Sequence, residues 1–147
     1  MTVRIVTDST CDLPAKIIAE HDIRMVPLYI QVGNREYLDG IDITREEFYK
    51  RLPNFPEHPT TAVPSPLKFH AVYDALADEG ASEVLSIHIS STLSAISNVA
   101  RTAASEPPSV PVTVLDSRQL SLGTWNIRRR PMLSFHGFPE LIPSDLM

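Results

Sequence analysis

The sequence is poor in the features that most readily betray a function. It has one cysteine, Cys11, in 147 residues. A single thiol cannot form an internal disulfide, and such a chain is expected in a reducing compartment. Cys11 has no flanking base and reads as inert rather than nucleophilic. Glycine is scarce: Gly33, Gly40, Gly80, Gly123 and Gly137 stand alone, so no glycine-rich phosphate loop is present. Cations are outnumbered, with 13 Lys and Arg against 18 Asp and Glu and a formal charge of -5. That is the wrong sign for a nucleic-acid binder, which neutralises phosphates with a surplus of cations. No apolar run reaches the length of a membrane span, so no stable membrane insertion is expected. Met1-Thr2-Val3-Arg4 leads straight into a strand-like segment, without the charged-then-apolar pattern of a signal peptide. A cytoplasmic location is therefore expected. His21, His58, His70, His88 and His136 are scattered without metal-site spacing, so neither metal nor cofactor is expected.

What is present is an ordinary globular composition, 43% hydrophobic, on a chain long enough for one domain with a real core. Val3 to Val6 reads as a strand. Asp12 is expected to cap a helix, with Pro14 in its first turn and Leu13, Ile17 and Ile18 as its apolar face. Val26, Leu28, Ile30 and Val32 alternate as one strand, and Gly33-Asn34 turns it back into Arg35 to Leu38. Thr44 and Glu47 form a capping box, with Ile43 and Phe48 as its hydrophobic staple, so a helix is predicted from Arg45 to about Leu52. Residues 53 to 66 carry five prolines and read as an extended loop. Ser65-Pro66 opens a helix that buries Phe69, Val72, Tyr73 and Leu76 and stops at Gly80. Glu83 to Ile89 reads as a strand. Leu93, Ile96, Ala100 and Ala103 form a helical stripe, and Val112 to Leu115 is the last strand. This alternation predicts an α/β fold: an open, mainly parallel sheet with helices on both faces and a β-hairpin excursion. From Thr124 the periodicity stops. Residues 124–147 hold three consecutive arginines, three prolines and the only tryptophan, and read as an irregular tail outside the fold.

Three strands end alike, in Asp8-Ser9-Thr10, Ser90-Ser91-Thr92 and Asp116-Ser117. Ligands of open α/β sheets bind at the carboxyl ends of the strands. These clusters are expected along one edge, joined by the loop around Thr60-Thr61. Helix N-termini there favour anions, so the edge suits a carboxylate or phosphate. Ser, Thr and Asp are also the preferred helix caps, and each cluster taken alone is more often a cap than a site. Asp8 and Asp12 bear a faint likeness to an aspartyl-phosphate phosphatase, although Thr10 stands where that chemistry wants a second carboxylate. A small hydrolase or phosphatase using Asp8 or Ser94 is the enzymatic alternative. No Ser-His-Asp set can be assigned from spacing, and His88 reads as a packed or surface-facing strand residue.

The segments IVTDSTCDLP, MVPLYIQVGNREYLDGIDITREEFY, PTTAVPSPLKF, SIHISSTLSAISNVA and VTVLDSRQLSLG follow one another in the order and spacing of the DegV family of bacterial fatty-acid-binding proteins, which the sequence resembles over residues 3–123. The resemblance implies a non-enzymatic lipid-binding module that holds one long-chain fatty acid and serves as acyl carrier for a separate fatty-acid kinase. It implies that Thr61 and Ser94 bind the carboxylate; backbone N–H groups near Ala95 are expected to help, and Asp8, Ser9 and Ser117 of the strand-end clusters to shape the same edge. The chain departs from the family pattern at Ala62-Val63 and at Ala95-Ile96-Ser97, where the family has Ser-Gln and Gly-Thr-Tyr. Family chains are about twice as long, and their second domain supplies half of the lipid pocket. The pattern stops at Gly123, so residues 1–123 are expected to be the first domain alone. The tail then reads as a truncation or frameshift, with impaired binding or a non-functional remnant as its consequence.

Overall fold

In the computed structural model the described residues are 2–106 and 108–124; of the expected irregular tail, 124–147, only Thr124 is among them, and it is buried at the end of a helical turn over 121–124 rather than outside the fold. Four strands form a parallel sheet in the order β2-β1-β6-β7: β1 (Val3–Asp8), β2 (Arg24–Val26), β6 (Glu83–His88) and β7 (Val112–Asp116). Three more form an antiparallel sheet in the order β4-β3-β5: β3 (Tyr29–Val32), β4 (Arg35–Leu38) and β5 (Thr60–Ala62). The helices are α1 (Ala15–Glu20), α2 (Arg45–Arg51), α3 (Pro66–Asp78) and α4 (Ile96–Ser105).

The main core lies between the parallel sheet and α3 and α4. Phe69, Tyr73 and Leu76 of α3 are wholly buried, as are Ile96, Ala100 and Ala103 of α4. They pack with Val6, Val26 and Val84 of the sheet in one cluster. Each large apolar side chain so buried contributes roughly 2 kcal/mol through the hydrophobic effect. Gly80, at φ +90°, ends α3 in a conformation that costs glycine nothing. The small sheet has its own cluster of Ile30, Val32 and Ile43, with Phe48 packed against it. Ile43 and Phe48 thus meet as the staple requires, and Thr44 Oγ1 accepts the Glu47 N–H at 3.2 Å. Gly33, at φ +56°, makes the hairpin turn between β3 and β4.

Several local expectations are corrected. The segment from Val26 to Val32 is not one strand. It leaves the parallel sheet after Val26 and enters the antiparallel sheet at Tyr29, because Pro27 has no N–H to give a continuing ladder. Asp12 caps no helix: it sits in the left-handed region at φ 56°, and Asp8 instead caps a short turn over Ser9–Cys11. The proline-rich loop contains β5, which pairs with β3. Leu93 does not join the buried stripe of α4; it precedes the helix and is 62% exposed.

The order β2-β1-β6-β7 has one consequence for function. The chain leaves β1 toward β2 on one side and leaves β6 toward β7 on the other. Right-handed crossovers then put α1 and α4 on opposite faces, so the switch point, where open α/β sheets form their ligand crevice, lies between the carboxyl ends of β1 and β6.

Candidate functional site

The crevice is bordered by the two hydroxyl-rich segments DSTC and SSTLSAIS. At the end of β1, Asp8 is buried and accepts from Thr10 twice, from its N–H at 3.0 Å and from its hydroxyl. Ser9, also buried, accepts the Leu28 N–H on its Oγ at 3.1 Å. Arg45 of α2 reaches over the turn, donating to Ser9 O at 2.6 Å and pairing with Asp12. The Ser121 hydroxyl donates to Asp12 as well. Cys11 lies buried in the same turn.

At the end of β6 the chain turns through 90–95 before α4. The Leu93 and Ser94 N–H groups donate to Ser90 O at 2.9 and 3.2 Å. The Ser90 and Thr92 hydroxyls share one hydrogen bond of 2.9 Å. Ser97 is buried and its hydroxyl donates to Ile89 O. Ser94 differs from these. Its Oγ accepts the Ile96 N–H at 3.3 Å, and its own proton has no acceptor among the described residues. The Ala95 N–H, just before the first turn of α4, likewise meets no acceptor there. Half-buried Ser94 and exposed Ala95 therefore offer two spare donors at a helix N-terminus.

The end of β7 is tied to the same edge. Ser117 N–H donates to His88 O at 2.9 Å, and Ser90 N–H donates to Gln119 O at 3.0 Å. Asp116 accepts the N–H groups of Ser91 and Arg118. Burial works against its charge, but hydrogen bonds from Ser91 and Arg118 outweigh it and hold its carboxyl below the usual range. Asp8, Ser9, Ser94, Ala95 and Ser117 thus share one edge of the parallel sheet. Thr61 does not share it through any hydrogen bond. It is exposed on β5, opposite Ile30 in the small sheet, with its hydroxyl unclaimed among the described residues.

Behind the edge lies a polar network that spacing did not reveal. Tyr73 Oη lies 3.0 Å from Ser86 Oγ, Ser86 Oγ lies 2.8 Å from His88 Nε2, and His88 Nδ1 lies 2.7 Å from Asp8 Oδ2. These are the residue types and the order of a Ser-His-Asp triad. Yet Ser86 and His88 have no exposed surface and Asp8 has 1%, so no substrate reaches the serine. His88 is packed, with the Phe69 ring edge-on at 5.3 Å. One signal was available in the sequence. Val84, Ser86 and His88 share one face of β6 by the strand's period of two, so two polar side chains point into an apolar core.

An open parallel sheet with hydroxyl-rich turns at its switch point defines the α/β class of the domain. Residues 2–127 match the family described as "Uncharacterised protein, DegV family". The chain belongs to the DegV family. It is 39% identical over 121 residues to a DegV domain-containing protein of Clostridium perfringens, covering 82% of this chain and 43% of that one. A solved structure described as fatty acid binding, a DegV family protein from Thermus thermophilus, is 40% identical with a TM-score of 0.76, over 88% of this chain and 46% of the other. A fat acid (stearic acid)-binding protein from Eubacterium ventriosum is 31% identical with a TM-score of 0.75, over 87% and 45% of the two chains. The chain spans less than half the length of each. No helix among the described residues is long and apolar enough to cross a membrane.

Proposed function

We propose that this chain binds a long-chain fatty acid, with the carboxylate at the carboxyl ends of β1 and β6. Ser94 donates to it through its hydroxyl, Ala95 through its N–H, and Thr61 from the small sheet. Asp8, Ser9 and Ser117 shape the edge without donating. The observation that carries this reading is the spare proton of Ser94: its oxygen is fixed by Ile96, and nothing among the described residues takes its hydrogen. A carboxylate is acceptor-only and needs such donors. The stearic-acid-binding relative supports the ligand class.

Residues 1–123 act in this reading as one DegV-like domain in the cytoplasm, delivering the acyl chain to a separate fatty-acid kinase. The chain itself is not the enzyme. Asp8 is buried under donors from Thr10 and His88, which leaves no free oxygen for attack. Among the described residues Ser94 has no base in hydrogen-bond reach; its oxygen meets only the Ile96 N–H there. Native mass spectrometry after incubation with stearate tests the proposal. One added fatty-acid mass per chain is expected. A chain that retains no lipid, or one that turns over an ester or phosphate lost in Asp8→Asn, overturns it.

A further inference from the structure

The buried network has a direction. Tyr73 has no other partner among the described residues, so its O–H donates to Ser86. Burial pushes the Tyr73 hydroxyl up to about 12, against the hydrogen bond with Ser86, so this donor stays protonated. Ser86 Oγ accepts that proton, and its own proton has His88 Nε2 as its one acceptor among the described residues, so it donates there. A nitrogen that accepts carries no proton, which leaves the neutral imidazole protonated on Nδ1. Nδ1–H then donates to Asp8 Oδ2. From the other side, the N–H and hydroxyl of Thr10 both donate to Asp8 Oδ1. Reversing the chain would leave the buried Tyr73 hydroxyl proton without an acceptor, a loss that a wholly buried group does not recover from water. Every donor from α3 to the Ser9–Cys11 turn therefore points at one carboxylate, which lies where β1 meets the crevice.

We propose that Asp8 is a positioning residue for the head-group edge: it draws in His88 from β6 and Thr10 from the turn, and so fixes the β1 side of the crevice relative to Ser94. The inference rests on the fatty-acid reading for its functional half. Its structural half stands on the hydrogen bonds alone. Asp8 touches no ligand in this scheme. Its effect passes through two walls of the crevice. Thr10 has its hydroxyl proton turned inward to Asp8, so it shows a ligand only lone pairs. Ser94, and not Thr10, is therefore left as the donor. Asparagine at position 8 cannot replace the anion, because its amide has one acceptor oxygen where two are needed, and the NH2 must face either His88 or Thr10.

The test uses the full chain with nitrogen-15 histidine and a stearate titration. Long-range proton–nitrogen spectra are expected to show His88 as the neutral Nδ1–H tautomer. A neutral Nε2–H tautomer, or an imidazolium at neutral pH, overturns the direction of the network and with it the role of Asp8. Asp8→Asn is expected to weaken stearate binding about tenfold, the factor that ~1.4 kcal/mol carries. Thr10→Val, at a half-buried position that tolerates the change in shape, is expected to weaken it in the same direction even if Asp8→Asn does not fold. Wild-type affinity in both variants, or in Thr10→Val when Asp8→Asn does not fold, overturns the positioning role. If the unaltered chain binds no stearate, the fatty-acid reading fails, and the functional half of the inference fails with it. The tautomer then decides the structural half alone.

Discussion

The ends of β1 and β6 look alike in sequence and differ in what their hydroxyls have left to give. In DSTC the side chains turn inward. Thr10 donates to Asp8, Ser9 takes the Leu28 N–H, and Arg45 and Ser121 close over Asp12. In SSTLSAIS the turn is stitched by backbone and by the Ser90–Thr92 pair, while Ser94 keeps a proton for a partner. The Ser9 proton also has no acceptor among the described residues, but Ser9 is 4% exposed, whereas Ser94 is half-buried beside the exposed Ala95 that precedes α4. Counting hydroxyls would make the two equal candidates. Following each proton separates a wall from a binder.

The sharpest way to break this contrast is to remove what closes the β1 end. His88→Leu leaves the Asp8 carboxylate buried without its donor from β6. Stripping a neutral donor from a buried carboxylate costs about 2–3 kcal/mol, and a fall of that size in urea-unfolding free energy is expected. A loss below about 1 kcal/mol would mean that the β1 end is not held from within.

A smaller effect is expected on the other side. The Asp116 carboxyl is held below its usual range in the folded chain. A depressed folded value contributes stability that is fully present above the unfolded pKa and lost as pH falls through the folded one. Acidification below about pH 4, the unfolded carboxylate value, should therefore release the Ser91 N–H. Amide exchange, corrected for its intrinsic pH dependence, is expected to lose protection at Ser91 on acidification. In Asp116→Asn that loss should already be present at neutral pH. If Ser91 protection does not respond to either change, Asp116 does not order the turn.

The smallest effect falls on the small sheet. Thr61 is exposed and its β5 pairing uses backbone alone, so Thr61→Ala should leave stability within about 0.5 kcal/mol. Stearate affinity is expected to drop a few-fold, measured by calorimetric titration. An unchanged affinity would confine the head group to the parallel sheet's edge.

Much of this architecture is written locally and some of it is not. The capping box at Thr44, the helix opened by Ser65-Pro66 and the turn at Gly33-Asn34 each rest on neighbours within a few residues, and the elements they predict are present. β5 was missed because Thr60–Ala62 is short and polar, and only its pairing with β3 makes it a strand. The long strand from Val26 to Val32 was misread because alternation continues across Pro27 while the backbone changes sheets. Asp8 and Asp12 are equally good caps on paper. Tertiary partners decide between them, since Arg45 and Ser121 claim Asp12. Within the candidate site, the strand-end clusters were legible from type and position. The Asp8–His88 bond was not, because the 80 positions separating its ends are closed only by the pairing of β1 with β6.

The central claim is that an uncommitted proton beside the first turn of α4, rather than a hydroxyl as such, marks the binding residue. Stearate titrations of Ser94→Ala and Thr92→Ala, side by side, test it most directly. Both remove a hydroxyl from the same turn, one with a spare proton and one paired to Ser90. Ser94→Ala should bind about tenfold more weakly than the unaltered chain, as expected for loss of a hydrogen bond to a charged group, and Thr92→Ala within about twofold of it. Equal losses in the two variants, or no loss in Ser94→Ala, would contradict the account.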